Sequence, residues 1–267
     1  MYKLTWRTGS RALQTHMSTS KRGLFVFVIV GLLCASYLWF FGVATMFALE
    51  ARYVGWKMPV VKKTPVELPD QSIVQVAGRK LAYFGYEFEV PWEIDEAKSK
   101  QVGGMQLVAF RSGNTLLVSR IPAKEFVNDF VSMRKADPDG LRALYGEDVL
   151  QSDYSLKERI FETTPHKVGL LTPRSEAAAS AMLLLIKGIM MPSGGESGIY
   201  RIRTGDFKGF QFGDPRSRPR SFDLEIHDEE GGFGFVFFQR QNGSEPPITQ
   251  AEINFVIQSL RKLSNQQ

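Results

Sequence analysis

The chain has 267 residues, 43% of them hydrophobic, and carries 33 Lys/Arg against 28 Asp/Glu for a net charge of +5. That excess sits entirely in residues 1–69, where nine basic residues face two acids; residues 70–267 hold 24 basic against 26 acidic residues and are net −2. The part long enough to build a core is therefore slightly acidic, which excludes the basic footprint of a nucleic-acid binder, and the single cysteine, Cys34, excludes an internal disulfide, a CxxC pair or a Cys-based metal site.

Residues 1–22 contain five basic residues, no acid, and several Ser and Thr. They read either as a cytoplasmic tail or as an organelle transit peptide. The run Gly23–Leu49 follows without a charged residue. Its 27 residues make about 40 Å of helix, more than the ~30 Å of a bilayer core, and the run has no polar face. The expectation is one transmembrane helix that contacts the lipid bilayer through Gly23–Leu49 and acts as a single-pass signal-anchor. Cys34 lies inside it as a small apolar residue. The acid-free tail favours a cytoplasmic N-terminus with the remainder outside the cytoplasm. The corresponding location is the cell (inner) membrane, with the mitochondrial inner membrane as the alternative.

Residues 50–70 form a Pro/Lys-rich linker. Pro59, Pro65 and Pro69 favour an extended connector, and Tyr53 and Trp56 suit the headgroup layer. The folded domain is assigned to residues 71–267. Tyr86, Phe88 and Val90 alternate with Glu87 and Glu89 as a one-sided strand that stops at Pro91. Ser112-Gly113-Asn114 separates two apolar runs as a hairpin turn. A helix is expected at 123–135, halted by Asp137-Pro138-Asp139-Gly140. Ser155 with Glu158 fits a capping box, and Ser175 fits the N-cap of an apolar helix that ends at Pro192. The helix at 175–191 is either buried across a sheet or exposed as a docking surface. Its Met182, Met190 and Met191 suit an adaptable contact with a partner but would also fill a core.

From Gly198 four alternating runs, IYRIRT, FKGFQFG, SFDLEIH and FGFVFFQR, form an antiparallel meander. The segment TQAEINFVIQSLRKL then reads as a closing amphipathic helix, with Thr249 and Glu252 as its capping box. The expected fold class is α+β: one antiparallel sheet with helices packed on one side, preceded by the transmembrane helix. Three passages make the domain resemble the Mog1/PsbP-like fold over roughly residues 80–263: Phe88-Glu89-Val90-Pro91-Trp92, the meander 199–240, and Phe255-Val256-Ile257-Gln258-Ser259-Leu260. That resemblance implies a binding or assembly module rather than an enzyme, and it brings no active-site residue with it.

Chemistry-bearing patterns are few. No G-x-S-x-G elbow sits between a strand and a helix, and no phosphate-binding glycine loop occurs. No cofactor is indicated. Asp223, Glu225 and His227 share one face of a strand, which permits a metal site for a metal-dependent hydrolase. Neighbours at i and i+2 run parallel about 6.5–7 Å apart, however, so a solvated sheet face competes with that reading. Arg216, Arg218 and Arg220, stiffened by prolines in one loop, could grip phosphate, a lipid headgroup or an acidic partner. The functional expectation is a membrane-anchored module that binds an envelope or membrane protein partner.

Overall fold

The computed structural model describes residues 10–134, 137–169, 172–191, 198–213, 221–239 and 247–263. The chain begins with a long helix, α1 (Ser10–Lys57), and a 3-10 turn at Pro59–Lys62. A two-residue strand β1 (Val66–Glu67) precedes the hairpin β2 (Arg79–Tyr83) and β3 (Tyr86–Val90). Strands β4 (Lys100–Val102), β5 (Met105–Ala109) and β6 (Thr115–Pro122) follow. Then come helices α2 (Glu125–Arg134), α3 (Pro138–Tyr145), α4 (Asp153–Glu162) and α5 (Arg174–Met190). The meander is β7 (Ile199–Thr204), β8 (Phe207–Phe212), β9 (Ser221–Asp228) and β10 (Gly231–Phe238). Helix α6 (Gln250–Ser259) and strand β11 (Arg261–Lys262) close the fold.

The fold is α+β, built on an eight-stranded mixed sheet in the order β1-β7-β8-β9-β10-β6-β5-β4, with a three-stranded sheet β11-β3-β2 beside it. Two features correct the expected single antiparallel sheet with helices on one side. The β1–β7 pairing is parallel, Val66 opposite Tyr200. And α6 lies with the small sheet on one face of the large sheet, while the other helices cover the opposite face.

The first interface is aromatic. Phe222, Leu224 and Ile226 of β9, with Phe233, Phe235 and Phe237 of β10, meet Phe88 and Val90 of β3 and Ile253, Val256 and Ile257 of α6. The Phe88 and Phe235 rings pack edge to face with centroids 5.0 Å apart. Thr249 caps α6 in a full capping box with Glu252, as its spacing predicts. On the opposite face, Phe210 and Phe212 of β8 pack beneath Tyr154 and Phe161 of α4.

Several helix starts differ from expectation. Asp137 opens α3 by accepting the Asp139 N–H, so the Asp-Pro-Asp-Gly sequence starts a helix as well as ending one. Ser152, not Ser155, caps α4. Helix α5 begins after Pro173 without a side-chain cap.

The segment expected to be a linker belongs to the fold. Helix α1 continues to Lys57, and Val60 and Val61 are buried in the helical core. Ala44, Ala48 and Ala51, spaced four and three apart, bury against the helical layer, where small side chains let α1 lie close to α5. No single helix among the described residues is long and apolar enough to cross a membrane by itself. The two parts of α1, Val26–Trp39 and Ala44–Lys57, pass that test together, with a 65° bend between them. The break includes Gly42, a residue that weakens a helix locally. The hydroxyls of Tyr37 and Thr45 lie 3.0 Å apart across it, a contact that eight residues of straight helix, about 12 Å, could not make.

Candidate functional site

Alternation along β9 places Phe222, Leu224 and Ile226 on the aromatic face and Asp223, Glu225 and His227 on the other. The register sets Asp223 beside Phe212, Glu225 beside Phe210 and His227 beside Lys208 on β8. On β10 the same three face Val236, Gly234 and Gly232. A Cβ at Gly232 would stand 2.2 Å from the Ile226 carbonyl oxygen and 3.1 Å from His227 Nδ1, so only glycine leaves room for the imidazole there.

This face is largely covered: His227 is buried, and Asp223 and Glu225 are half-buried. Helix α4 crosses it, and the Lys157 ammonium, itself buried, donates to Glu225 Oε2 at 2.7 Å while lying 5.0 Å from the centre of the Phe126 ring. Asp153, one turn earlier on α4, accepts from the Phe126 and Val127 N–H groups and so ties the start of α2 to α4. Arg201 of β7 binds Glu158 and Glu162 on the same helix and donates to the Pro65 carbonyl. Tyr154 stacks on Phe210 at 5.0 Å, nearly parallel.

The two carboxylates of β9 are pushed in opposite directions. Burial alone would raise Glu225, but the neighbouring His227 and the Lys157 ammonium outweigh it and hold the carboxyl at about 2. Burial and the adjacent Glu225 charge raise Asp223. His227 is 5% exposed; its Nε2 stands 3.9 Å from Glu225 Oε2, beyond hydrogen-bond range, and has no hydrogen-bond partner among the described residues. Asp223 Oδ1 is likewise buried without one. Opposite shifts of paired acids are the pattern of acid–base chemistry, although ion-pair networks that only hold a fold together produce them too. Among the described residues, no group of three or more His, Cys, Asp or Glu is arranged to hold a metal ion. Parallel side chains on one strand diverge, and a bound ammonium already occupies one Glu225 oxygen.

His227 also forms part of the wall of an open cleft of about 1360 Å³ at one end of the large sheet. The β7–β8 and β9–β10 turns, the start of α4 and the end of α6 frame it, bringing in Asp206, Lys208, Glu229 and Ser155. Lys262 crosses part of it to Glu230 at 2.6 Å, and the Tyr86 hydroxyl donates to Asp228 at 2.8 Å. The cleft is polar and of mixed charge.

The methionines of α5 do not form one surface. Met191 is buried, whereas Met182 and Met190 pack half-buried against the helical core. The exposed apolar residues of α5 are Leu185 and Ile189. Arg216, Arg218 and Arg220 lie outside the described residues.

The residues that sequence reasoning missed are two lysines. Lys157 follows the buried Leu156 and precedes Ile160 by three positions, so it shares the inward face of α4. Lys187, fully buried on α5, donates to the carbonyl oxygens of Lys63, Phe161 and Thr163 at 2.6, 2.6 and 2.9 Å. Its place within an unbroken apolar run was the available signal.

No family model matches this chain, and neither a curated protein nor a solved structure matches it.

Proposed function

We propose that the protein is a single-pass membrane protein, N-terminus in the cytoplasm, whose extracytoplasmic α+β domain binds or assembles an envelope protein partner. One observation carries the reading. Helix α1 is exposed and apolar over Val26–Trp39, apart from half-buried Tyr37, yet its continuation is packed into the core of the folded domain. An apolar segment that nothing among the described residues covers, continuous in chain with a helix packed into a folded domain, fits an anchor. The cleft beside His227 is the proposed partner site, and the resemblance to Mog1/PsbP-like modules is in keeping with binding rather than catalysis.

The test has two parts. Alkaline phosphatase fused after Gln267 is expected to be active, whereas a fused cytoplasmic reporter should stay silent; the reverse pattern would sink the topology. A photo-crosslinking residue at Glu229 in the cleft is expected to capture a discrete protein in intact cells, and the same probe at Arg111 is expected to capture none. Equal capture at both positions would remove the cleft from the proposal.

The hydrolase reading has the unpartnered His227 Nε2 and Asp223 Oδ1 in its favour. Metal analysis of the purified full chain tests it: stoichiometric zinc or manganese, lost in His227→Ala, would revive it.

A further inference from the structure

Helix α1 contacts two different surroundings along its length. From Ala44 onward one face is buried, with Ala44, Ala48 and Ala51 fully covered and Phe47 and Val54 packed beside them. The opposite face holds Met46, Leu49, Tyr53 and Trp56, and these large apolar side chains remain exposed, Met46 at 70% and Trp56 at 67%. On α5 the stripe next to the α1 contact is the same. Gly188 abuts Met58 just after α1, while Ile189, one residue on, is 72% exposed and Leu185, a turn before, is exposed as well. Among the described residues nothing covers this surface.

Three observations name what covers it. The first is continuity, because the surface is the direct continuation of the apolar stretch Val26–Trp39. The second is geometry. Gly23–Trp39 is 17 residues, or about 25 Å of helix, which already reaches the short end of what crosses a bilayer. A 65° bend then follows. An axis along the bilayer normal leaves that bend at about 25° from the bilayer plane, the attitude of an interfacial helix. The Tyr37–Thr45 contact spans the bend. The third is chemistry. Tyr53 and Trp56 are the aromatic residues of a headgroup layer, and Lys57 lies 4.5 Å over the Trp56 ring. Arg52, Lys57 and Lys62 are exposed in the same stretch as Glu50, a net positive charge that anionic headgroups of either leaflet would attract.

We infer that the outer face of Ala44–Lys57, together with Leu185 and Ile189 of α5, lies in the headgroup layer of the bilayer that α1 enters, so that the folded domain rests against the membrane instead of standing off it. This rests on the anchored reading above and adds a docked orientation to it. It also reassigns the last residues of the apolar run: the stretch from Ala44 to Leu49 belongs to the interface, not to the span.

The test uses the full chain with Cys34→Ser and one new cysteine at a time, Leu33→Cys, Ile189→Cys or Glu229→Cys. Each carries an environment-sensitive fluorophore and is reconstituted in phosphatidylcholine vesicles containing phosphatidylglycerol. The fluorophore at 189 is expected to shift to the blue and to be quenched by lipids spin-labelled near the headgroup. That at 33 should be quenched by lipids labelled deep in the chain, and that at 229 by neither. Quenching at 33 with a water-like signal at 189 would overturn docking and leave the anchor standing. A water-like signal at 33 would remove both. A blue shift at 189 without lipid quenching would mean that a second copy or another protein covers the face, and that too overturns the proposal.

Discussion

The Lys187 ammonium, fully buried on α5, lies 2.6 Å from the carbonyl oxygen of Phe161 in the last turn of α4. The Lys63 and Thr163 carbonyls complete its three donations. One side chain thus joins α5, the end of α4 and the segment leaving α1. It supplies donors to carbonyls that a helix terminus leaves unsatisfied.

Lys187→Met is expected to leave three carbonyls without a donor and to cost at least about 3 kcal/mol, at roughly 1 kcal/mol or more for each orphaned group. Denaturant unfolding of the detergent-solubilised chain measures this; a loss below ~1 kcal/mol would show that water replaces the ammonium. Burial, with the nearby Lys167 charge, lowers the Lys187 amine to about 8. Below that pH both folded and unfolded chains hold the proton; between about 8 and the ordinary ~10.4 only the unfolded chain does. The contribution of this group to stability therefore rises with pH across that window. Wild type should gain on Lys187→Met between pH 8 and pH 10.

Glu225 has the same sign, in the acid range. Held at about 2 in the fold and near ~4.3 when unfolded, it stabilises the protein above the unfolded value. That contribution is lost as pH falls through the folded one. Lys157→Met leaves the half-buried Glu225 carboxylate without its cation and is expected to cost about 1–3 kcal/mol at neutral pH, below the ~3–5 kcal/mol of a fully buried pair. The penalty should shrink toward pH 3 as the stranded carboxyl takes up a proton, which urea titrations at pH 7, 5 and 3 would follow.

Asp223 has the opposite sign. Its folded pKa is raised, so its contribution is intact below the unfolded value and is lost as pH climbs through the folded one. Asp223→Asn is expected to raise the melting temperature at pH 7 and to leave it unchanged at pH 3. A drop at pH 7 would indicate that the charged form has a partner, such as a bound cation or water.

The contact between α1 and the domain depends on small side chains. Ala48→Leu places added bulk at a position with no exposed surface and is expected to cost about 1–3 kcal/mol. The same change at the exposed Met46 should be neutral. Protease sensitivity between residues 50 and 70 offers a second readout, rising in the Ala48 variant alone.

What could be read ahead of the structure was local. The meander strands, the turn at Ser112–Asn114 and the Thr249–Glu252 capping box each rest on a few adjacent residues, and each stands where its spacing puts it. The fate of the polar face of β9 was not local. Asp223, Glu225 and His227 alternate with Phe222, Leu224 and Ile226 as an open sheet face would, and the difference lies in α4, far away in the chain. The neighbouring strand held the clue. Phe207 points to the aromatic interface and Phe210 and Phe212 to the helical one, so β8 carries buried phenylalanines on both faces and must be covered twice. Strand β1 is two residues long and pairs with a partner more than 130 positions away, too little sequence for any period to register. The run ending at Leu49 is apolar whether lipid or α5 lies against it; only the spacing of Ala44, Ala48 and Ala51 separates the two cases.

The parallel pairing of Val66 with Tyr200 has a mechanical consequence for an anchored chain. A free linker of some twenty residues would let a domain wander ~25 Å from its point of exit. Here the chain is folded almost at once: Val60 and Val61 are in the core and Val66 is in the sheet. The domain has no slack. On the anchored reading, a ligand must come down to the height at which the cleft is fixed, and any pull on the domain is borne by α1 and the sheet edge together.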